Sequence, residues 1–451
     1  MLQTIKKAFQ MKDIRSRILY TLLIMVLVRL GCQLPIPGIN RDYFAAWFQS
    51  LTGAAAGGES AGAFSFFNAF TGGSFENMSI FALNITPYIT SSIIIELLTI
   101  AIPYLEEKQR EGEEGRKVLT AITRYLTIGL AVLESGAMAI GFYNQGILDA
   151  TMNPWLTGFM VVTGMTAGSA LLMWFGEQIT EKGVGNGISI VLTINIISRM
   201  PSDLAGLWQQ FISSNYMNGK ILMAIVAGLI IIAVLVATVF FTVLLNGGER
   251  RIPVQYAKKV AGRKITGGAS TYIPLKVNTA GVIPIIFASS LMQFPIVICQ
   301  LFGIQAGTSL AGQILRVLNS GNWCNPRQPV YTIGLVIYIL LVIFFAYFYT
   351  SITFNPLEVS ENLKKQGGFI PGIRPGKPTN EYLTNILNYI IFIGAVGLTI
   401  VAVTPIIFNG LFNANVSFGG TSLIIIVGVI LETIKQIQSR MMVRSYKGIL
   451  G

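Results

Sequence analysis

Apolar stretches of about 20 residues recur ten times along this chain. They fall near 19–38, 78–101, 118–140, 155–175, 187–205, 221–245, 278–302, 330–350, 383–407 and 420–437. A helix needs roughly that length to cross a ~30 Å hydrocarbon core. Inside a bilayer no water satisfies the backbone, so only helices and closed barrels can span it. The alternating pattern of barrel strands is absent. The sequence therefore predicts an all-α polytopic membrane protein with ten transmembrane helices. Composition agrees: 53% of the 451 residues are apolar, 12% are charged, and the mean hydropathy is +0.64. The first stretch follows Lys6, Lys7, Lys12, Arg15 and Arg17, as a secretory signal would. It then runs past Arg29 without a small-residue cleavage site and reads as a retained span.

Charge orients the bundle. The chain carries 32 Lys and Arg against 20 Asp and Glu, a net charge of +12. With both termini cytoplasmic, most of the basic residues fall in the inside segments and the outside segments are near neutral. That asymmetry is the positive-inside pattern. Two inside loops exceed the usual helix connection. The 246–277 loop holds Arg250, Arg251, Lys258, Lys259, Arg263, Lys264 and Lys276 against Glu249 alone. The 351–381 loop is shaped by Gly367, Gly368, Gly372 and Gly376 with Pro371, Pro375 and Pro378. Both read as cationic hairpins, serving either as docking handles or as topology signals. Residues 103–117 read as a solvated loop with local ion pairs.

Several spans suit lipid contact poorly. The second contains Asn84, Pro87, Thr90, Ser91, Ser92 and Glu96. Glu96 needs a polar path, a partner or an interfacial position. The seventh contains Pro284 and Pro295, which weaken a helical ladder. In the fourth, Gly164 and Gly168 form a small-xxx-small pair suited to close packing. Asn186 before the fifth is placed to cap a helix. Outside, the apolar segment Ser65–Gly73 is too short to span. It is either a re-entrant element or an interfacial loop anchored by Phe64, Phe66, Phe67 and Phe70.

Little here supports enzymology. There is no histidine, no phosphate loop and no clear nucleophile–base pair, so no catalytic residue, cofactor or metal is expected. Cys32, Cys299 and Cys324 form no metal motif. Cys299 and Cys324 are either a disulfide on the outer side or isolated small apolar side chains. An ion-coupled secondary transporter of a small solute is compatible with broken spans and an intramembrane carboxylate.

Five segments carry a resemblance: LPIPGI at Leu34–Ile39, GEQITEKGVGNGISI at Gly176–Ile190, PLKVNTAGVIPIIFASS at Pro274–Ser290, NLKKQGGFIPGIRPG at Asn362–Gly376 and FGGTSLII at Phe418–Ile425. In this order and spacing the chain resembles the SecY family of bacterial protein-translocation channels over its whole length. The resemblance implies two five-helix halves around a central pore. Residues 1–205 would form spans one to five, and 206–277 span six with the first basic hairpin. Residues 278–451 would form spans seven to ten, with the second hairpin at about 351–381. The implied function is passage of unfolded secretory polypeptides across the bacterial plasma membrane, with lateral release of hydrophobic segments into lipid. An aliphatic pore ring would comprise Ile85, Ile89, Ile188, Leu192, Ile286 and Ile425, with Leu192 departing from an isoleucine-rich pattern. A plug at about 64–74 would use Phe64, Phe66, Phe67, Asn68, Phe70, Gly72, Gly73 and Ser74. Spans two and seven would form a lateral gate with Thr90, Ser290, Leu291 and Phe294. Arg250, Arg251, Lys258 and Arg374 would meet a ribosome or a cytosolic ATP-driven motor. Small companion subunits, signal peptides and membrane lipids complete the implied partners.

Overall fold

The computed structural model describes residues 9–52, 71–148, 153–213, 221–256, 259–261, 264–266, 270–301, 310–319, 323–324, 329–412 and 420–450. In the first part of the chain the helices are α1 (Lys12–Gly31), α2 (Arg41–Thr52), α3 (Thr86–Ala101), α4 (Pro103–Arg110), α5 (Glu113–Asn144), α6 (Pro154–Lys182), α7 (Gly187–Leu207) and α8 (Ile221–Gly247). Strands β1 (Glu249–Tyr256), β2 (Lys259–Ala261), β3 (Lys264–Thr266) and β4 (Ser270–Lys276) follow. Then come α9 (Ile283–Leu301), α10 (Leu310–Leu318), α11 (Ile333–Thr353), α12 (Pro356–Lys365), β5 (Gly368–Phe369), α13 (Lys377–Phe412) and α14 (Gly420–Leu450). Among the described residues, seven helices are long and apolar enough to cross a membrane, or eight if a bent pair counts as one span. The other two expected spans coincide with α1, which carries Arg15, Arg17 and Arg29, and with α9, whose Ile283–Met292 portion is a shorter apolar helix.

The second span departs from its expected bounds. Residues 72–85 are turns, and helix begins only at Thr86. Asn84 has φ +53°, a left-handed conformation that interrupts any helix. Pro87 therefore sits in the first turn of α3, where a missing N–H costs nothing, and does not bend it. Pro284 likewise sits in the first turn of α9, whereas Pro295 lies inside that helix. At Ile102 the chain turns by 102° from α3 into α4. The expected solvated loop at 103–117 is thus largely helical. Its ion pairs are present: Arg110 to Glu106 at 2.6 Å and Lys108 to Glu111 at 2.8 Å.

Leu34–Ile39 is not the end of a helix but a paired turn. Ile36 N donates to Met78 O at 3.0 Å, and Ile80 N donates to Leu34 O at 2.9 Å. Gly168 of α6 faces this paired segment. A Cβ there would fall 2.0 Å from Ile80 O, so only glycine lets the helix approach. Gly164, the other member of the pair, has Ile36 Cγ2 at 3.6 Å. Helix α2 packs Phe44 and Phe48 on Phe75, and Phe44 on Phe142.

The two basic loops are not separate hairpins. β1 pairs antiparallel with β4, and β5 from the second loop pairs with β1 through Gln255↔Phe369 and Tyr256↔Gly368. The second loop begins as helix α12, capped by Asn355, whose Oδ1 accepts from Leu357 N at 3.1 Å. Ile252, Val254, Leu275, Leu363 and Ile370 bury their side chains against Leu383, Ile386 and Ile390 of α13. One apolar layer therefore fixes both loops to one end of the bundle.

Candidate functional site

Six aliphatic side chains from four parts of the chain meet between the helices. Ile85 precedes α3 and Ile89 lies one turn into it; Ile188 and Leu192 are likewise four apart on α7, so each pair shares a helix face. Ile286 of α9 and Ile425 of α14 complete the set, and all six belong to one apolar cluster with Ile24, Val28, Phe81 and Val429. Ile85, Leu192 and Ile425 are buried, while Ile89, Ile188 and Ile286 are half-buried. The face of α7 is set by its cap: Asn186 Oδ1 accepts from Ile188 N at 3.2 Å and Ser189 N at 3.4 Å. The six aliphatic side chains themselves offer no hydrogen-bonding group. They can press against any chain without selecting a side chain, and they resist wetting.

A polar patch lies beside it. Asn195 of α7 donates through Nδ2 to Asn84 Oδ1 at 3.0 Å, both residues being buried. Gly72 has φ +64°, and a Cβ there would fall 2.7 Å from Asn195 O. Arg29 Nη1 of α1 donates to Gly72 O at 3.4 Å. Arg199 of α7 pairs with Glu76 at 2.5 Å and lies 3.9 Å from Asp203. Gly73 and Ser74 follow in the same segment, with Ser74 buried. The other expected plug residues, Phe64, Phe66, Phe67, Asn68 and Phe70, lie outside the described residues.

Helices α3 and α9 bring the expected gate residues near the cluster. Thr90 is half-buried and donates to Thr86 O at 3.1 Å. Ser290 and Leu291 are exposed. Phe294 lies in α9, with its side chain outside the described residues. Glu96 of α3 has a partner that spacing could not reveal: Tyr349 of α11 donates through its hydroxyl to Glu96 Oε2 at 2.9 Å. Tyr349 is 2% exposed, and its ring centroid lies 5.5 Å from that of Phe287 on α9.

On the sheet, Arg250 and Arg251 stand opposite Leu275 and Pro274 in β4. Arg251 is engaged internally, 2.6 Å from Glu249 and 4.8 Å from the Tyr272 ring centroid. The Glu249 hydrogen bond raises its pKa above the ordinary arginine value, aided by the charges of Tyr272 and Glu249. Arg250 and Arg374 are exposed, and Arg374 O accepts from Thr379 Oγ1 at 2.8 Å, which steadies its loop. Lys258 lies outside the described residues. Cys32, Cys299 and Cys324 are free thiols.

The six aliphatic positions that the resemblance implies fall in one cluster, and the basic loops lie together at one end of the bundle. Sequence reasoning missed Glu76, Arg199 and Tyr349, whose partners are distant in sequence. The only signal available was that Arg29, Glu96 and Arg199 sit in or near apolar stretches and so need partners.

The family profile for SecY matches residues 79–434. A protein translocase subunit SecY of Streptomyces scabiei is 43% identical over the whole of both chains. One of Thermotoga maritima is 39% identical over all of this chain and 98% of its own. Among solved structures, a protein-conducting channel has a TM-score of 0.61 at 17% identity, covering 94% of this chain and 92% of its own. Sec61 from a canine ribosome-channel complex reaches 0.57 at 16% identity, covering 94% and 92%. No relative named here is a small-solute transporter, so the transporter reading has no support. With the profile covering most of its length and translocase relatives matched end to end, the chain belongs to the SecY family.

Proposed function

We propose that this chain is the protein-conducting subunit of a bacterial plasma-membrane translocation channel, with both termini cytoplasmic. The observation that carries this reading is the apolar cluster that joins Ile85, Ile89, Ile188, Leu192, Ile286 and Ile425, which we read as the channel's throat. An unfolded polypeptide presents every kind of side chain in turn. A ring without donors or acceptors holds none of them, and it closes on itself when empty. Spans one to five and six to ten act as two halves around the throat. Residues 64–74 act as a plug, rooted by the Arg29 and Arg199 contacts to residues 72–76. A seam between α3 and α9 opens to lipid for apolar segments, with Thr90, Ser290, Leu291 and Phe294 along it.

The sheet bearing Arg250 and the loop bearing Arg374 project from one end of the bundle. They receive a ribosome or an ATP-driven motor, where arginine can pair with phosphates or carboxylates. Arg250 and Arg374 are the better contacts, since Arg251 already faces Glu249 and Tyr272. Small companion subunits clamp the bundle from outside. A crosslinking residue at Ile286, combined with a secretory polypeptide arrested in passage, tests the reading. Adducts to successive parts of the arrested chain are expected. Labelling by small solutes with no contact to the arrested chain would overturn it.

A further inference from the structure

The hydroxyls along the proposed seam mostly look inward to their own helices. Thr90 donates to Thr86 O at 3.1 Å, Ser91 to Pro87 O at 2.7 Å and Ser289 to Ile285 O at 2.8 Å. Parting α3 from α9 and α11 costs these groups nothing. The Tyr349–Glu96 hydrogen bond is different, because it joins α11 to α3 across the seam. Glu96 lies seven residues beyond Ile89, about 10 Å along the helix from the throat. Tyr349 is held on its own side by aromatic packing against Phe287, with ring centroids 5.5 Å apart. Its hydroxyl cannot follow α3 outward, so parting the helices takes away its acceptor.

We propose that Glu96 and Tyr349 form a latch whose breaking sets how apolar a segment must be to leave sideways into lipid. This rests on the channel reading above. A spanning helix has every backbone group satisfied within itself, so it cannot replace Glu96 as acceptor for the phenol. Hydrocarbon offers no replacement either, and an unmet polar group there is costly. The entering segment has to offset that loss by its own apolar burial. Strongly apolar segments do so, and marginal ones do not. Glu96 and Tyr349 are thus specificity-determining residues for the class of substrate released into the membrane, and neither performs chemistry.

The test uses the assembled channel in membrane vesicles and guest segments of graded leucine and alanine content. Its readout is the odds of lateral release against full passage. Tyr349→Phe keeps the ring and removes only the hydroxyl. It should raise the odds for a marginal segment roughly fivefold, the size of one lost net hydrogen bond. Glu96→Gln leaves an amide oxygen able to accept, so a rise of about twofold is expected. The double variant should match Tyr349→Phe alone, because the same contact is already gone. Odds in Tyr349→Phe within experimental error of wild type, or effects that add in the double variant, overturn the latch. If Tyr349→Phe does not accumulate, wild-type odds in Glu96→Gln overturn it. Failure of the wild-type channel itself to pass any polypeptide in these vesicles would instead overturn the channel reading.

Discussion

Replacing Ile89 and Ile425 together by asparagine probes the proposed throat. Ile425 is 2% exposed, and Ile89 packs half-buried in the same cluster. Each substitution removes aliphatic surface and brings an amide into a site with no partner for it. An unpaired amide in apolar surroundings costs about 1–3 kcal/mol by mutational measures. Water entering the throat relieves that cost, so two amides favour the wet state by roughly 2–6 kcal/mol at most. Even ~1.4 kcal/mol is a tenfold change in an equilibrium. The wet fraction, and with it ion leakage, should therefore rise at least tenfold. Conductance of purified channels in planar bilayers at matched protein amounts measures it, and export of proteins with defective signals reports the loosened selection. Ile89→Leu with Ile425→Leu should stay near the wild-type leak, because it keeps the apolar volume. Wild-type conductance in the doubly asparagine channel, correctly assembled, would refute the assignment of these residues to a dry constriction.

Arg374→Glu should slow motor-stimulated export in reconstituted vesicles far more than it lowers channel amount, since its loop is exposed and its backbone is held by Thr379. Lys364→Glu and Lys365→Glu should be milder in the same assay, the two lysines supplying diffuse attraction. Gly168→Ala should lower the thermal midpoint of the detergent-solubilised channel, at an overpacking cost of about 1–3 kcal/mol, because its Cβ would meet Ile80 O at 2.0 Å. Glu76→Arg should be destabilising by the same measure, and adding Arg199→Glu should recover only part of the loss, since it faces Asp203; each side chain is about a third exposed, so the pair itself contributes no more than ~1 kcal/mol.

What the sequence made legible follows from how local each signal is. The spans are written in long apolar runs, and Asn186 caps α7 because a short polar side chain before an apolar run has few other uses. Proline was legible as a residue but not as a position. Pro87 and Pro284 fall inside apolar runs, yet both sit in first turns, because the chain before each is held in turns. For Pro87 the cause lies elsewhere in sequence: Leu34–Ile39 captures residues 78–80 through backbone hydrogen bonds that no periodicity records. The union of the two basic loops was equally hidden, since a two-residue strand at Gly368–Phe369 carries almost no pattern of its own.

The aliphatic cluster shows the limit most clearly. Any one of its isoleucines, taken alone, is indistinguishable from a core or lipid-facing residue, because burial and lipid contact favour the same side chain. Resemblance selected the six positions, and the fold brings them into one cluster from helices far apart in sequence. Charged residues behave in the opposite way. Glu96, Arg29 and Arg199 announce themselves by sitting where hydrocarbon would penalise them, but the sequence is silent on what relieves the penalty. Their partners are Tyr349, the Gly72 carbonyl and Glu76, and each of these joins separate segments of the chain. Apolar positions thus need family context to become a site. Misplaced polar ones need only a fold.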